Sequence, residues 1–223
     1  MSNINLHLGD CLGAMKEIPD NAYDLAIVDP PYGIDVANDS RFGNKGKKAA
    51  AKTKDYSKKD WDKGVPTQEY FEQLFRVSRN QIIWGINYYP FDFLTGGRLF
   101  WDKDVPQDYT KSKGEIAYKS FGHGVDLVKI TWHGMLQYDM KNKEVRTHPT
   151  QKPIRLYEWL LDKYAKEGDK ILDTHLGSGS IAIACHNRKF DLDAWEIDKE
   201  YYNNAVERLE THKSQLTIFD LGG

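Results

Sequence analysis

Apolar residues along the chain follow two periods in alternation. Dense runs of four to six positions mark strands, and stretches in which apolar residues return every third or fourth position mark helices. DLAIVD (24–29) reads as a strand. TQEYFEQLFRVS (67–78) puts Tyr70, Phe71, Leu74 and Phe75 on one helical face behind Thr67, a candidate N-cap. QIIWGI (81–86) reads as a second strand, and RLFWDK (98–103), EIAYKSF (115–121) and VKITWHG (128–134) as three more in a row, separated by turns containing Gly and Asp. Three strands without a helix between them predict an antiparallel edge or a small insertion. From HPTQKP (148–153) the alternation is cleaner: helix IRLYEWLLDKYAK, strand KILD, turn THLGSGS, helix IAIACHN, strand DLDAWEID, helix KEYYNNAVERLETHK. The tail SQLTIFDLGG carries no assignment. The whole predicts an α/β fold: a mixed, mainly parallel sheet with helices on both faces.

At 223 residues, 40% of them hydrophobic and 29% charged, the chain can bury one sizeable core, and a single domain over 1–223 is expected. Its longest apolar runs fall far below the roughly 20 residues that span a bilayer. The start MSNINLHLGD lacks a basic and then apolar segment, so the expected location is cytoplasmic. Cys11 and Cys185 lie outside any CxxC or Cys/His metal spacing and are expected as reduced thiols. His123, His133 and His148 are not spaced as a metal set either, so no metal is expected.

Net charge is −2, but its distribution is uneven. From Arg41 to Lys59 eight basic residues face one acid, Asp55, with few large apolar side chains. Such a run is commonly a solvated surface loop, and taken alone that reading leads. The segment 33–64 is therefore expected to be a basic loop, whose role depends on what precedes it.

The stretch KILDTHLGSGS combines a strand, Asp173 at its carboxyl end, and Gly177 and Gly179 before a helix. Glycine brings no Cβ into the turn, which lets a ligand approach the backbone closely. A lone GxG is a weak signal. It gains weight from Glu196, 23 residues beyond Asp173 at the end of the next strand, where nucleoside-binding α/β units hold a ribose diol. No GxxxxGK[ST] is present, which disfavours ATP, while Ala182 at the third position of GSGSIA leaves NAD open on these residues alone.

DPPY (29–32) narrows the choice. A carboxylate at the carboxyl end of a strand lies at the rim where open α/β sheets bind ligands, and Pro30 and Pro31 stiffen the turn without offering N–H donors. A planar amino group can donate one hydrogen to Asp29 and one to the Pro30 carbonyl, with Tyr32 stacked on the attached ring. That pairing turns the nitrogen lone pair out of the ring plane and makes the nitrogen nucleophilic.

With these residues in place, the sequence resembles the S-adenosylmethionine-dependent DNA amino-methyltransferases, whose catalytic motif is [DNS]-P-P-[YFW]. The resemblance covers most of the chain. LHLGDCLGAMKEIPDNAYDLAIVDPPYG is similar to the family's opening block, RVSRNQIIWGINYY and FWDK…EIAYKSF to its middle strands, and HPTQKP to the block before its glycine loop. Catalytic block first and glycine block last is the circularly permuted order of the family's β group. The usual D-P-F-x-G-S-G-T reads DTHLGSGS here, with Thr174 for Pro and His175 for Phe.

The resemblance implies a Rossmann-like methyltransferase fold, S-adenosyl-L-methionine as cofactor and double-stranded DNA as partner. It assigns Asp29, Pro30, Pro31 and Tyr32 to catalysis. To the cofactor it assigns Asp10, Cys11, Asp29, His148, Thr150, Lys152, Asp173, Gly177, Gly179, Ser180, Glu196 and Ile197. Aspartate at 29 resembles the adenine-N6 branch; N4-cytosine, RNA or a protein amide as substrate, or a non-catalytic DNA-binding relative, are the alternatives. Methyl transfer would be direct, since neither cysteine sits in the Pro-Cys pair of C5-cytosine enzymes. The base must flip out of the duplex, at roughly a few kcal/mol. Beside such a site the basic loop acquires a role in phosphate contact, through Arg41, Lys45, Lys47 and Lys48. Lys141, Lys143 and Arg146 form a second expected DNA contact within a candidate target-recognition insertion over 102–148. Dimerisation occurs in the β group, so a homodimer is a candidate assembly, and a cognate restriction endonuclease is a candidate partner, with an epigenetic mark or phage defence as the other host roles. WGINYY (84–89) is a candidate lining of the base pocket, and Trp84, Trp101 and Trp159 are expected in the core.

Overall fold

The structure, a computed structural model, describes residues 2–34, 64–90, 95–133 and 135–220, with side chains described to 215. The expected DNA contacts Arg41, Lys45, Lys47 and Lys48 lie outside the described residues. In chain order the elements are β1 (Ile4–Leu8), α1 (Cys11–Glu17), β2 (Tyr23–Val28), α2 (Gln68–Val77), β3 (Ser78–Trp84), a 3-10 turn (Ile86–Tyr88), β4 (Gly97–Asp102), β5 (Gly114–Lys119), β6 (Val125–Lys129), β7 (Trp132–His133), β8 (Leu136–Gln137), α3 (Ile154–Tyr164), β9 (Lys170–Asp173), α4 (Ser180–Arg188), β10 (Asp191–Glu196) and α5 (Lys199–Asp220).

Eight strands form one sheet in the order β1-β10-β9-β2-β3-β5-β4-β6. The first five run parallel, and β5 turns antiparallel against both β3 and β4. The expected antiparallel edge is therefore present. The candidate strand VKITWHG divides: Val128 and Lys129 close β6, while Trp132 and His133 pair with β8 in a separate hairpin. The unassigned tail extends α5 to Asp220.

Side chains along β2 show how the sheet acquires two covered faces. Leu25 and Ile27 enter a core shared with α3, α4 and α5, whereas Ala26 and Val28 enter a second core with Met15 of α1 and Phe71 and Leu74 of α2. Period-two alternation with both faces apolar is the pattern of a doubly covered parallel strand. Each such aliphatic side chain stabilises the fold by about 1.5–3 kcal/mol on burial. Trp84 and Trp101 meet edge to face in the first core, and Trp159 packs against it partly buried. Thr67 caps α2 as expected, its hydroxyl accepting from the Tyr70 N–H at 3.3 Å.

The helix after β9 covers one face and the described helix after β2 the other, so β9 and β2 flank a switch point, where sheets of this kind open a crevice. Four neighbouring parallel strands deliver acids to that rim: Asp10 just past β1, Glu196 ending β10, Asp173 ending β9 and Asp29 just past β2. Among the described residues no helix is long and apolar enough to cross a membrane, and both cysteines are free.

Candidate active site

β2 must stop at Val28 because Pro30 and Pro31 have no N–H to continue a ladder. Asp29 is thereby left at the rim and turned into protein. One carboxylate oxygen, Oδ2, meets the Lys152 ammonium, and the other, Oδ1, accepts the Tyr32 hydroxyl at 2.6 Å. Lys152 reaches the site from the segment leading into α3, with a side chain only 2% exposed. Its Nζ also lies 3.0 Å from Glu115 Oε2 and 3.1 Å from the Tyr32 hydroxyl oxygen. Glu115 is at the start of β5, and its other oxygen pairs with Lys103 Nζ at 2.6 Å.

The electrostatics follow from burial and these partners. Burial pushes the Asp29 carboxyl up, and the Lys152 ammonium and Tyr32 hydroxyl oppose it. Glu115 is buried as well, but Lys152 and Lys103 outweigh that and hold it down at about 2. Lys152 is raised despite its burial, because two carboxylates face it, so it stays charged at neutral pH.

The Tyr32 ring stacks on Tyr88 at 4.8 Å between centroids and 12° between planes, with Tyr89 edge-on at 6.4 Å. Gly85 allows this packing: at φ 75° it has no Cβ, and one placed there would lie 2.1 Å from Tyr32 Cε1. The Tyr89 hydroxyl lies 3.0 Å from the Pro30 carbonyl oxygen and 3.1 Å from that of Trp84. Trp84, Gly85, Tyr88 and Tyr89 of WGINYY border this corner, and both acceptors expected for an amine already have protein donors. Each retains capacity, since a carboxylate has about four lone-pair sites and a carbonyl two.

The glycine turn lies next door. Gly177 and Gly179 adopt φ 53° and 75°, a left-handed backbone that a side chain would strain. A Cβ on Gly179 would come 2.9 Å from Ala205 Cβ, so this glycine is needed for packing against α5. A Cβ on Gly177 would meet nothing closer than 3.8 Å, which leaves a backbone cradle open toward His148. Glu196 accepts the Gly177 N–H at 2.8 Å through Oε2 and the Asp198 N–H at 2.8 Å through Oε1. Asp173 accepts the His175 N–H at 3.0 Å, and burial pushes its carboxyl up to about 8. The departures from the usual loop are structural partners here: Thr174 Oγ1 bonds the Tyr70 hydroxyl at 2.6 Å and lies 2.9 Å from His175 Nδ1. Burial lowers His175 to about 4, so it is neutral at pH 7.

The remaining expected residues fall into three groups. Asp10 is exposed and caps α1, accepting the Leu12 and Gly13 N–H groups at 3.2 and 2.9 Å, and burial holds the neighbouring Cys11 thiol up at about 12. His148 is buried edge-on to Tyr201 at 4.3 Å and within 3.1 Å of Thr150 Oγ1; Ser180 is buried beneath the turn, and Ile197 is 65% exposed beside Glu196. Lys141 and Lys143 are exposed, whereas the Arg146 guanidinium lies 4.4 Å over the Trp132 ring. Lys152, grouped from the sequence with the cofactor, has its ammonium at the Asp29 corner. Glu115 and Lys103 were not among the expected site residues; Lys103 follows the end of β4 and Glu115 lies near the start of β5, and no local pattern marks either.

A Rossmann-like sheet with an acid-lined rim, a glycine cradle and an Asp-Pro-Pro-Tyr corner defines the class of S-adenosylmethionine-dependent methyltransferases. The profile of the DNA methylase family matches residues 83–207, and the chain belongs to this family of N6/N4 amino-methyltransferases, whose cofactor is S-adenosylmethionine. It is 25% identical over 248 aligned positions to the type II methyltransferase M.HpaI of Haemophilus parainfluenzae, covering 91% of this chain and 73% of that protein. It is 36% identical over 83 residues to M2.DpnII of Streptococcus pneumoniae, covering 37% and 31%. Among solved structures the fold is similar to the PvuII DNA methyltransferase (cytosine-N4-specific), at TM-score 0.61 and 12% identity over 96% of this chain and 91% of that one. It is also similar to the M1.HpyAVI–SAM complex, at TM-score 0.54 and 18% identity over 92% and 100%.

Proposed function

We propose that this DNA methyltransferase acts on the N6 amine of adenine in double-stranded DNA, after rotation of the base out of the helix. The observation that carries amine methylation is the pairing of a lysine-bonded carboxylate at Asp29 with the Pro30 carbonyl and the Tyr32 ring on one stiff turn, and aspartate rather than serine at 29 is what favours adenine over cytosine. Those acceptors fit an exocyclic NH₂. S-adenosylmethionine, when bound, supplies the methyl group as an electrophile on a sulfonium centre.

The residues present fit that cofactor. The open backbone at Gly177 admits the methionine portion, and Asp173 supplies an acid where a cationic ligand would come to rest. Asp10 and Glu196, at the ends of paired strands, would take the adenine and ribose, with Cys11, His148, Thr150, Ser180 and Ile197 around them. Asp29 and Pro30 hold the amine, Tyr32 takes the base face once Tyr88 yields it, and positioning rather than covalent chemistry supplies the rate. Lys141, Lys143 and Arg146 would contact DNA from a target-recognition insertion over 102–148, in which both lysines are exposed, and a cytoplasmic location and a cognate endonuclease belong to the same proposal.

The test is incubation with methyl-labelled S-adenosylmethionine and plasmid, followed by identification of the labelled base. N6-methyladenine is expected. N4-methylcytosine would replace the adenine reading with the cytosine one, and label in RNA or peptide but not duplex would overturn both.

A further inference from the structure

Behind the Asp29 corner runs a row of alternating charges, Lys103–Glu115–Lys152–Asp29, assembled from four separate segments of the chain, with Lys152 buried and the other three side chains 16–19% exposed. Two ammonium groups balance two carboxylates. Such a row is a poor device for stability, because desolvating each ion costs several kcal/mol and apolar side chains of equal volume generally serve as well. The Lys152 stem already lies among aromatic groups, its Nζ 5.4 Å from the Trp84 ring and 5.6 Å from that of Tyr32. A leucine or methionine would fill that volume. What only a cation supplies there is a charge on Asp29 Oδ2.

We infer that Lys152 is a positioning residue for methyl transfer: it holds Asp29 as an oriented anion ready for the incoming amine, and Glu115, neutralised by Lys103, holds Lys152 in place. The inference rests on the reading of Asp29 as the amine's acceptor. Orientation follows from the division of labour on the carboxylate, Oδ2 to Lys152 and Oδ1 to Tyr32, which fixes its plane while lone pairs stay open. Glu115 Oε2 approaches both Lys152 and the Tyr32 hydroxyl, so one side chain sets both of Asp29's partners.

Other ionisable groups around Asp29 cannot substitute. Tyr32 from its own turn, Tyr70 of α2 and Tyr157 of α3 are phenols held well above their usual range by burial. Asp173, at the end of β9, is a carboxyl whose own rise Asp29 contributes to, and Glu115 adds negative charge from β5. Lys152 is the cation that directly opposes burial at this carboxyl, and Lys103 acts through Glu115.

The experiment uses the full chain, labelled with ¹³C at aspartate carboxyl groups, as wild type, Lys152→Met, Lys152→Arg and Lys152→Met/Glu115→Gln. Carboxyl resonances and the rate of duplex methylation are followed from pH 5 to 9, and S-adenosylmethionine affinity is measured by calorimetry. In Lys152→Met the Asp29 resonance and the acid limb of the rate profile should move up together by about one to three pH units, with the rate falling by more than the cofactor affinity. Lys152→Arg should keep both near wild type, and the double variant should recover part of the shift. A loss of rate with neither titration moved would overturn the inference and leave Lys152 a packing residue. If Lys152→Met does not fold, Lys103→Met must move the same titration in the same direction by less. Failure of the underlying reading is distinguishable: a wild type that methylates no duplex sinks that reading, while the carboxyl titration still decides whether Lys152 governs Asp29.

Discussion

Asp29 and Asp173 stand at the carboxyl ends of neighbouring parallel strands, Asp173 buried and Asp29 partly so, yet they are equipped in opposite ways. Asp29 has an ammonium in direct contact and a hydroxyl on its other oxygen. Asp173 has a backbone N–H, and Lys152 acts on it only as the weakest of the influences around it, so burial carries it to about 8. The difference matches what each awaits. A neutral amine brings no charge, so the acceptor facing it must be ionised beforehand. A cationic ligand brings its own charge, and an acid left protonated can ionise as that ligand arrives.

The largest test of this contrast is Asp29→Ala. It should lower the methylation rate by on the order of 10²–10³-fold or more, as loss of an oriented hydrogen-bonding group does at other reacting centres, with cofactor affinity kept; an equal loss of binding would mean that the two aspartates do not divide the work. Gly85→Ala should come next. The added methyl would strike Tyr32 in a left-handed backbone, at about 1–3 kcal/mol of strain. Denaturation midpoint and rate should both fall, while the glycine cradle still binds cofactor.

The pH dependence of cofactor binding sharpens the other side. Below about pH 8 Asp173 holds a proton that a cation must displace, so affinity should rise with pH by up to about tenfold per unit and level off above pH 8. Calorimetry should find Asp173→Asn flat and near the low-pH level. For stability the sign reverses. The unfolded chain ionises this carboxyl near pH 4 and the fold near 8, so its contribution favours the fold at low pH and is lost as pH climbs through that window. The smallest effect is that of Tyr88→Ala, which removes a stack of about 0.5–1.5 kcal/mol from Tyr32. Equilibrium denaturation should register that loss, and KM for duplex DNA should fall if Tyr88 must leave the ring before a base can use it.

Features of the site written in local order were legible in the sequence. The apolar run ending on Asp29, the prolines that stop it, the Thr67 cap and the Gly177–Gly179 turn each depend on neighbours within a few positions. What was not legible depends on partners far away. Lys152 meets Glu115 only because β5 inserts antiparallel between β3 and β4, and nothing in EIAYKSF says which strands it will join. Glu196 was placed by its distance from Asp173, but the bonds from Gly177 and Asp198 that fix its carboxylate are turn geometry that spacing does not encode. Arg146, expected at DNA by its charge, lies over Trp132, a stacking that nothing in its local sequence encodes.

The pairing of β1 with β10 sets Leu8 opposite Glu196, joining segments far apart in the sequence. The nucleoside half of the crevice thus does not exist until translation has passed Glu196. An emerging polypeptide carries its Asp-Pro-Pro-Tyr turn early but has nowhere to seat a methyl donor. Ligand capture during synthesis would therefore time the closing of the sheet, and an occupied crevice would act as a seam that resists unzipping from either terminus.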